Sequence, residues 1–153
     1  MNKIIKIILI NIVGIVIIVL DQASKRFILK NPDTFRDFSI ENFLQITLNK
    51  NYGLALGIDV GYCVLYPLIA IIILFLLNLL RKNYQQNNFA KVLIITIILA
   101  GAISNLIDRI LLGYVIDFIN IPWFSIFNFA DICIVFGTIF LVKMELFQEH
   151  KVT

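Results

Sequence analysis

The sequence predicts a mainly α-helical membrane protein, with four transmembrane helices and a small β-rich loop at the extracytoplasmic membrane surface. Three observations predict it. Hydrophobic residues make up 60% of the 153 and charged residues 15%, with a mean hydropathy of +0.94, far from the make-up of soluble domains. Apolar runs of spanning length recur along the chain; at about 20 residues per span it holds roughly four of them and one modest loop. Between the first two runs lies a stretch too charged for lipid, with strand-like alternation inside it. The whole chain, 1–153, is expected to be a single integral membrane domain. Its net charge of +3 is small and its bases cluster at the ends of apolar runs, where they anchor helices, so no nucleic acid partner is expected.

Residues 4–20 form the first predicted helix, interrupted only by Lys6 and Asn11. A cleavable signal peptide is the competing reading, but no small-residue cleavage site follows the run, and retention is expected. Residues 21–61 carry most of the loop charge, including Lys25, Arg26, Lys30, Arg36, Asp33, Asp37, Glu41 and Lys50. Within them 43–49, FLQITLN, alternates as a half-exposed strand does, and 49–57 brings glycines and asparagines suited to a tight backbone path. Further helices are predicted at 62–80, 92–112 and 126–147, the second starting with Tyr62 and Tyr66 as interfacial rings and carrying Pro67 in its first turns. Lys3, Lys6, Arg81, Lys82, Lys91, Lys143 and Lys151 share one side if both termini are cytoplasmic, which leaves the 21–61 loop and the Asp117 region on the outer face.

The chemistry concentrates in residues 101–131, where Asp108, Asp117 and Asp131 lie among segments apolar enough to enter a bilayer, with Arg109 as the nearby cation. Charge at membrane depth costs at least a few kcal/mol and marks a working site by default. On a helix, Asn105 shares a face with Asp108 and Arg109, and Asn128 with Asp131; Asp21 and Lys25 are likewise four apart. Two spans joined by a short hairpin would bring Asp117 and Asp131 side by side. Two carboxyls at a low-dielectric boundary cannot both ionise cheaply, so one keeps its proton and the other remains a base, which suits acid-base hydrolysis. No rival apparatus is evident: the one histidine is His150 in the tail, the serines lack a nearby base, and no metal-ligand cluster exists. Cys63 and Cys133 make neither a metal spacing nor a disulfide framework.

Structural readings stand beside these. Asp108 would pair with Arg109 or cap the third span. Asp21 and Lys25 would be a snorkelling pair at a helix end. Asp117 could be an ordinary loop carboxylate, and the asparagines could satisfy helix ends. Asp131 resists such a reading, because an apolar run follows it directly.

The chain resembles the lipoprotein signal peptidases (signal peptidase II), small bacterial four-helix membrane aspartic proteases. The matching blocks are Asp21-Gln22-Ala23-Ser24-Lys25, Asn51-x-Gly53-x-Ala55, Gly101-Ala102-x-x-Asn105-x-x-Asp108-Arg109, Gly113-x-Val115-x-Asp117-Phe118-Ile119 and Phe127-Asn128-x-Ala130-Asp131. They occur in the family's order over nearly the whole chain. The resemblance implies an endopeptidase that cuts lipid-modified prolipoproteins on the amino side of the diacylglyceryl-modified cysteine, at the outer face of the bacterial cytoplasmic (inner) membrane. It implies Asp117 and Asp131 as catalytic dyad, with Asn51, Gly53, Asn105, Arg109 and Asn128 binding and orienting the substrate, and Asp21, Lys25 and Asp108 bracing the site. It also implies a monomer in contact with membrane lipid, with acyl chains kept between helices and no metal or organic cofactor.

Two positions depart from the family pattern: Leu56, where an aromatic residue is usual, and Ser104, where a glycine precedes the asparagine. The first would reshape the substrate cradle, the second helix packing. Cys63 is not expected to be a self-processing acceptor, because Tyr62 stands where a small residue is required. A coupled transporter would place its acids mid-span in repeat-related positions, and a structural subunit would tolerate Asn at 117 and 131; both classes stay open at this stage.

Overall fold

The structure, a computed structural model, describes residues 2–34, 38–41, 43–54, 58 and 60–149. Leu56, Ala55, Arg36, Asp37, His150 and Lys151, all of which carry expectations above, lie outside them. The chain runs α1 Lys3–Lys30, β1 Ser39–Ile40, β2 Leu44–Asn51, α2 Tyr62–Gln85, α3 Phe89–Leu112, β3 Val115–Ile121, β4 Ser125–Phe127 and α4 Phe129–Glu149. Three helices among the described residues, α1, α2 and α3, are long and apolar enough to cross a membrane. With large apolar side chains such as Ile15, Leu74 and Phe75 presented outward, this is an integral membrane protein. The 21-residue α4 is apolar in its middle but carries Asp131 near its start and Lys143 and Glu145 near its end.

Helix α3 is the hub, packing against α1, α2 and α4. Leu76, Ile95, Ile98 and Leu99 form the core of the α2–α3 contact, with Ile134 and Leu141 of α4 laid against it. Helices α3 and α4 approach closely at Gly101, where a Cβ would sit 2.7 Å from the Ala130 carbonyl oxygen and 2.9 Å from Ile134 Cγ1. That crossing needs glycine, and it lies beside Asp131.

The first helix does not stop at residue 20. It continues to Lys30, and the residues read as loop charge, Asp21 and Lys25, are fully buried at 0% exposure. The extension is stable because Ile28 packs on Ile116 and Phe118 of β3, while the charges pair internally.

The four strands form one antiparallel sheet in the order β1-β2-β3-β4. The alternation at 43–49 corresponds to β2, whereas β3 and β4 occupy a region expected to be only a turn and the start of the fourth helix. Strand β3 hides from periodicity because both its faces are covered: Ile116 and Phe118 turn toward α1, and Val115 and Asp117 line a cavity. Gly113 ends α3 in the left-handed conformation at φ 82° and donates its N–H to the Arg109 carbonyl, so the chain enters β3 at once. The β2–β3 register sets Asn49 opposite Asp117 and Asn51 opposite Val115.

Candidate active site

Asp117 comes from the middle of β3 and Asp131 from the first turn of α4, and Asn128 joins them. Its Nδ2 donates to Asp117 Oδ1 at 2.7 Å, and its backbone N–H donates to Asp131 Oδ2 at 3.1 Å. The Asn128 side-chain carbonyl accepts the Asp131 N–H at 2.9 Å, so the two residues cap the start of α4 reciprocally. Capping and bridging are done by the same residue.

Each remaining carboxylate oxygen also receives an amide. Asn51 Nδ2 donates to Asp117 Oδ2 at 2.9 Å, and Asn105 Nδ2 donates to Asp131 Oδ1 at 2.8 Å. The orientation of all three asparagines is determined, because each side-chain carbonyl faces a group that can only donate. Those donors are the Gly53 N–H for Asn51, the Asp131 N–H for Asn128 and the Lys25 ammonium for Asn105. Each NH₂ is therefore aimed at a carboxylate.

Asp117 is 1% exposed. Burial raises its carboxyl most, and the charge of Asp131 adds to it; the bonds from Asn51 and Asn128 pull the other way, and the result is pushed up to about 6. No lysine or arginine is bonded to either of these two carboxylates among the described residues.

Behind the pair lies a second polar cluster. Lys25 Nζ uses its three donors on Asp21 Oδ2 at 2.6 Å, Asp108 Oδ2 at 2.9 Å and Asn105 Oδ1 at 2.8 Å. Asp21 Oδ1 accepts the Ala130 N–H at 2.8 Å and thereby holds the first turn of α4. Asp21 and Lys25 are not a snorkelling pair: no water reaches either, and the ammonium is neutralised across the bundle. Asp108 pairs with Lys25 and Gln22 and accepts the Ile116 N–H, whereas the neighbouring Arg109 points elsewhere, since adjacent helical residues do not share a face.

Arg109 donates to the Gly53 carbonyl at 2.7 Å and to the Asn105 carbonyl at 3.4 Å, which ties the segment after β2 to α3. Its Nε is buried and has no hydrogen-bond partner among the described residues. The guanidinium lines a cavity of about 440 Å³ together with Asn51, Asn105, Asp117 and Asp131 and with apolar side chains that include Ile72 and Ile98.

Two participants escaped the sequence reading. Gln22 Nε2 donates to Asp108 Oδ1 at 2.8 Å and to both oxygens of Ser104 at 3.1 Å. The Ser104 hydroxyl donates to Asp21 Oδ2 at 2.7 Å, so the residue that departs from the family pattern is built into the cluster. A polar residue recurring on an otherwise apolar helix face was the available signal for both.

A family model described as "Signal peptidase (SPase) II" matches residues 13–147. The lipoprotein signal peptidase of Wigglesworthia glossinidia brevipalpis is 37% identical over 141 residues, covering 86% of this chain and 90% of that protein. The lipoprotein signal peptidase of Staphylococcus carnosus (strain TM300) is 35% identical over 144 residues, covering 91% of each. Among solved structures, a bacterial membrane enzyme determined in meso at 2.3 Å resolution superposes with a TM-score of 0.73 at 30% identity, covering 92% of this chain and 88% of that one.

Proposed function

Because the chain belongs to the signal peptidase II family, an aspartic protease family that removes signal peptides from prolipoproteins, we propose that Asp117 and Asp131 carry out the cleavage here. The observation that supports this reading is the bridge of Asn128 between the buried Asp117 and the half-buried Asp131, neither of them paired with a lysine or arginine among the described residues. In this mechanism the dyad holds one proton. The ionised member takes a proton from a water in the cavity, and that water's oxygen attacks the scissile carbonyl on the amino side of the lipid-modified cysteine. The protonated member donates to the developing oxyanion, and collapse of the tetrahedral species breaks the C–N bond with proton transfer to the leaving amine. The pair, not either residue, owns the apparent pKa values.

The asparagines set the carboxylates in place, and this arrangement supports a positioning role for Asn51, Asn105 and Asn128 ahead of direct substrate contact. Arg109 retains a buried N–H, unpaired among the described residues, which would take up a substrate carbonyl. Gly53 would place the backbone that Arg109 clasps, and Asp21, Lys25 and Asp108 would hold α1, α3 and α4 together beneath the site.

In the proposed topology α4 is the fourth span and the whole chain works as one monomeric peptidase unit. Both termini are cytoplasmic, and the sheet and dyad lie at the outer face. The bases at the opposite ends of the helices, Lys3, Lys6, Arg81, Lys82, Lys91 and Lys143, support that orientation. The apolar lining of the cavity, Ile72 and Ile98 included, suits an acyl chain.

Purified protein in lipid should cut a diacylglyceryl-modified precursor peptide directly before the modified cysteine. Asp117→Asn and Asp131→Asn should each remove cleavage while leaving the thermal unfolding transition in place. Cleavage that survives either substitution would overturn the assignment.

A further inference from the structure

The antiparallel pairing of β2 and β3 sets the β1–β2 turn beside the β3–β4 turn, at the end of the sheet away from α3. Aromatic rings meet there. Phe43 lies 5.9 Å from Trp123, Trp123 6.4 Å from Phe124, and Phe124 6.5 Å from Phe127. Despite these contacts Phe43, Trp123 and Phe124 stay 56%, 69% and 64% exposed, and Ile40 adds another outward apolar side chain. In water such a patch is a liability; at a bilayer surface it is an anchor, since tryptophan and phenylalanine sit well where headgroups meet acyl chains.

The surrounding surface identifies the occupant. Phe124 and Phe127 line the same cavity as Val135 and Phe136 of α4, and Val135 and Phe136 are themselves outward-facing. The rings of the hairpin and the outward side chains of α4 therefore border one opening, and the apolar surface of the turns continues there into the surface that α4 offers to lipid. Glu41, in the first turn, would remain with the headgroups.

Resting on the topology proposed above, we propose that these paired turns form an aromatic foot inserted in the outer leaflet. Strand β3 is then fixed at both ends, by α3 through Gly113 and by lipid through Trp123. Asp117, between them, is held at the depth where a lipid-modified cysteine emerges from the bilayer.

Trp123 is the chain's single tryptophan, so its fluorescence reports on the foot without any substitution. The full chain is reconstituted in phosphatidylcholine vesicles, and emission is compared with that in vesicles brominated high or low on the acyl chains. The expected result is blue-shifted emission, little quenching by aqueous acrylamide, and the greatest loss with bromine high on the chain. Water-like emission that is indifferent to bromine would overturn the proposal. So would emission that shifts only with protein-to-lipid ratio, which assigns the rings to a contact between copies, or only on adding precursor peptide, which assigns them to substrate. Cleavage measured in the same vesicles keeps the two readings separate: active enzyme with a water-exposed Trp123 sinks the foot alone, and inactive enzyme with a quenched Trp123 sinks the catalytic assignment alone.

Discussion

Two clusters of buried acid lie side by side, and they are compensated in opposite ways. Around Lys25, the carboxylates of Asp21 and Asp108 face an ammonium whose three donors are all in use, together with the Ser104 hydroxyl, Gln22 and backbone N–H groups. In front of it, Asp117 and Asp131 receive, among the described residues, only neutral amide donors. A full counter-charge cancels the charge of an acid; an amide steadies the carboxylate without cancelling it. The first cluster holds three helices together, and the second keeps its charge uncompensated. Asn105 connects them, taking Lys25 on its carbonyl and presenting its NH₂ to Asp131.

The largest expected effect separates the clusters by function. Asp117→Asn or Asp131→Asn should lower kcat by about 10³-fold or more, within the range for lost acid-base catalysis. The double variant should cost little beyond either single one, because the pair acts as a unit; additive losses in a peptide-cleavage assay would show two independent groups. Next, Lys25→Met leaves two acids unpaired in the interior and should destabilise by about 3–5 kcal/mol, read as a fall in the unfolding midpoint in detergent. Adding Asp21→Asn and Asp108→Asn should recover most of that stability. Cleavage should stay depressed in the recovered protein, since Asn105 has lost the cation that orients it.

A smaller effect concerns the crossing beneath the dyad. Gly101→Ala drives a methyl into the Ala130 carbonyl, so α4 must shift; a cost of about 1–3 kcal/mol is expected, with kcat affected more than KM. An unchanged kcat would mean that the first turn of α4 tolerates displacement. The smallest effect is in pH dependence. A carboxyl whose folded pKa lies above its unfolded one binds protons more tightly when folded. The stability Asp117 contributes is therefore full below about 3.8 and is lost as pH rises through about 6. Unfolding followed across that window should show a decline that is absent in Asp117→Asn; equal slopes would remove Asp117 as its source.

The residues of the site were readable because an acid or asparagine next to an apolar run has few reasons to be there, and Asp117, Asp131, Asn51, Asn105 and Asn128 do converge. What could not be read depends on partners distant in sequence. Lys25 looks like loop charge until Asp108 and Asn105, on another helix, take its protons, so the end of α1 was placed ten residues early. The pairing of Asp108 was misjudged because adjacency in sequence was taken for adjacency in space. Strand β3 has no alternation to find, since both faces are buried, and Ser104 gains its role only through Asp21 and Gln22.

The central claim, that Asp117 and Asp131 act as a pair sharing one proton, is tested most directly by carbon-13 NMR titration of the aspartate carboxyls in lipid nanodiscs. Asp117 should titrate near pH 6, and its midpoint should move down in Asp131→Asn, where the neighbouring charge is gone. A midpoint that stays put in Asp131→Asn, or an Asp117 that titrates as a free surface carboxyl, would contradict it.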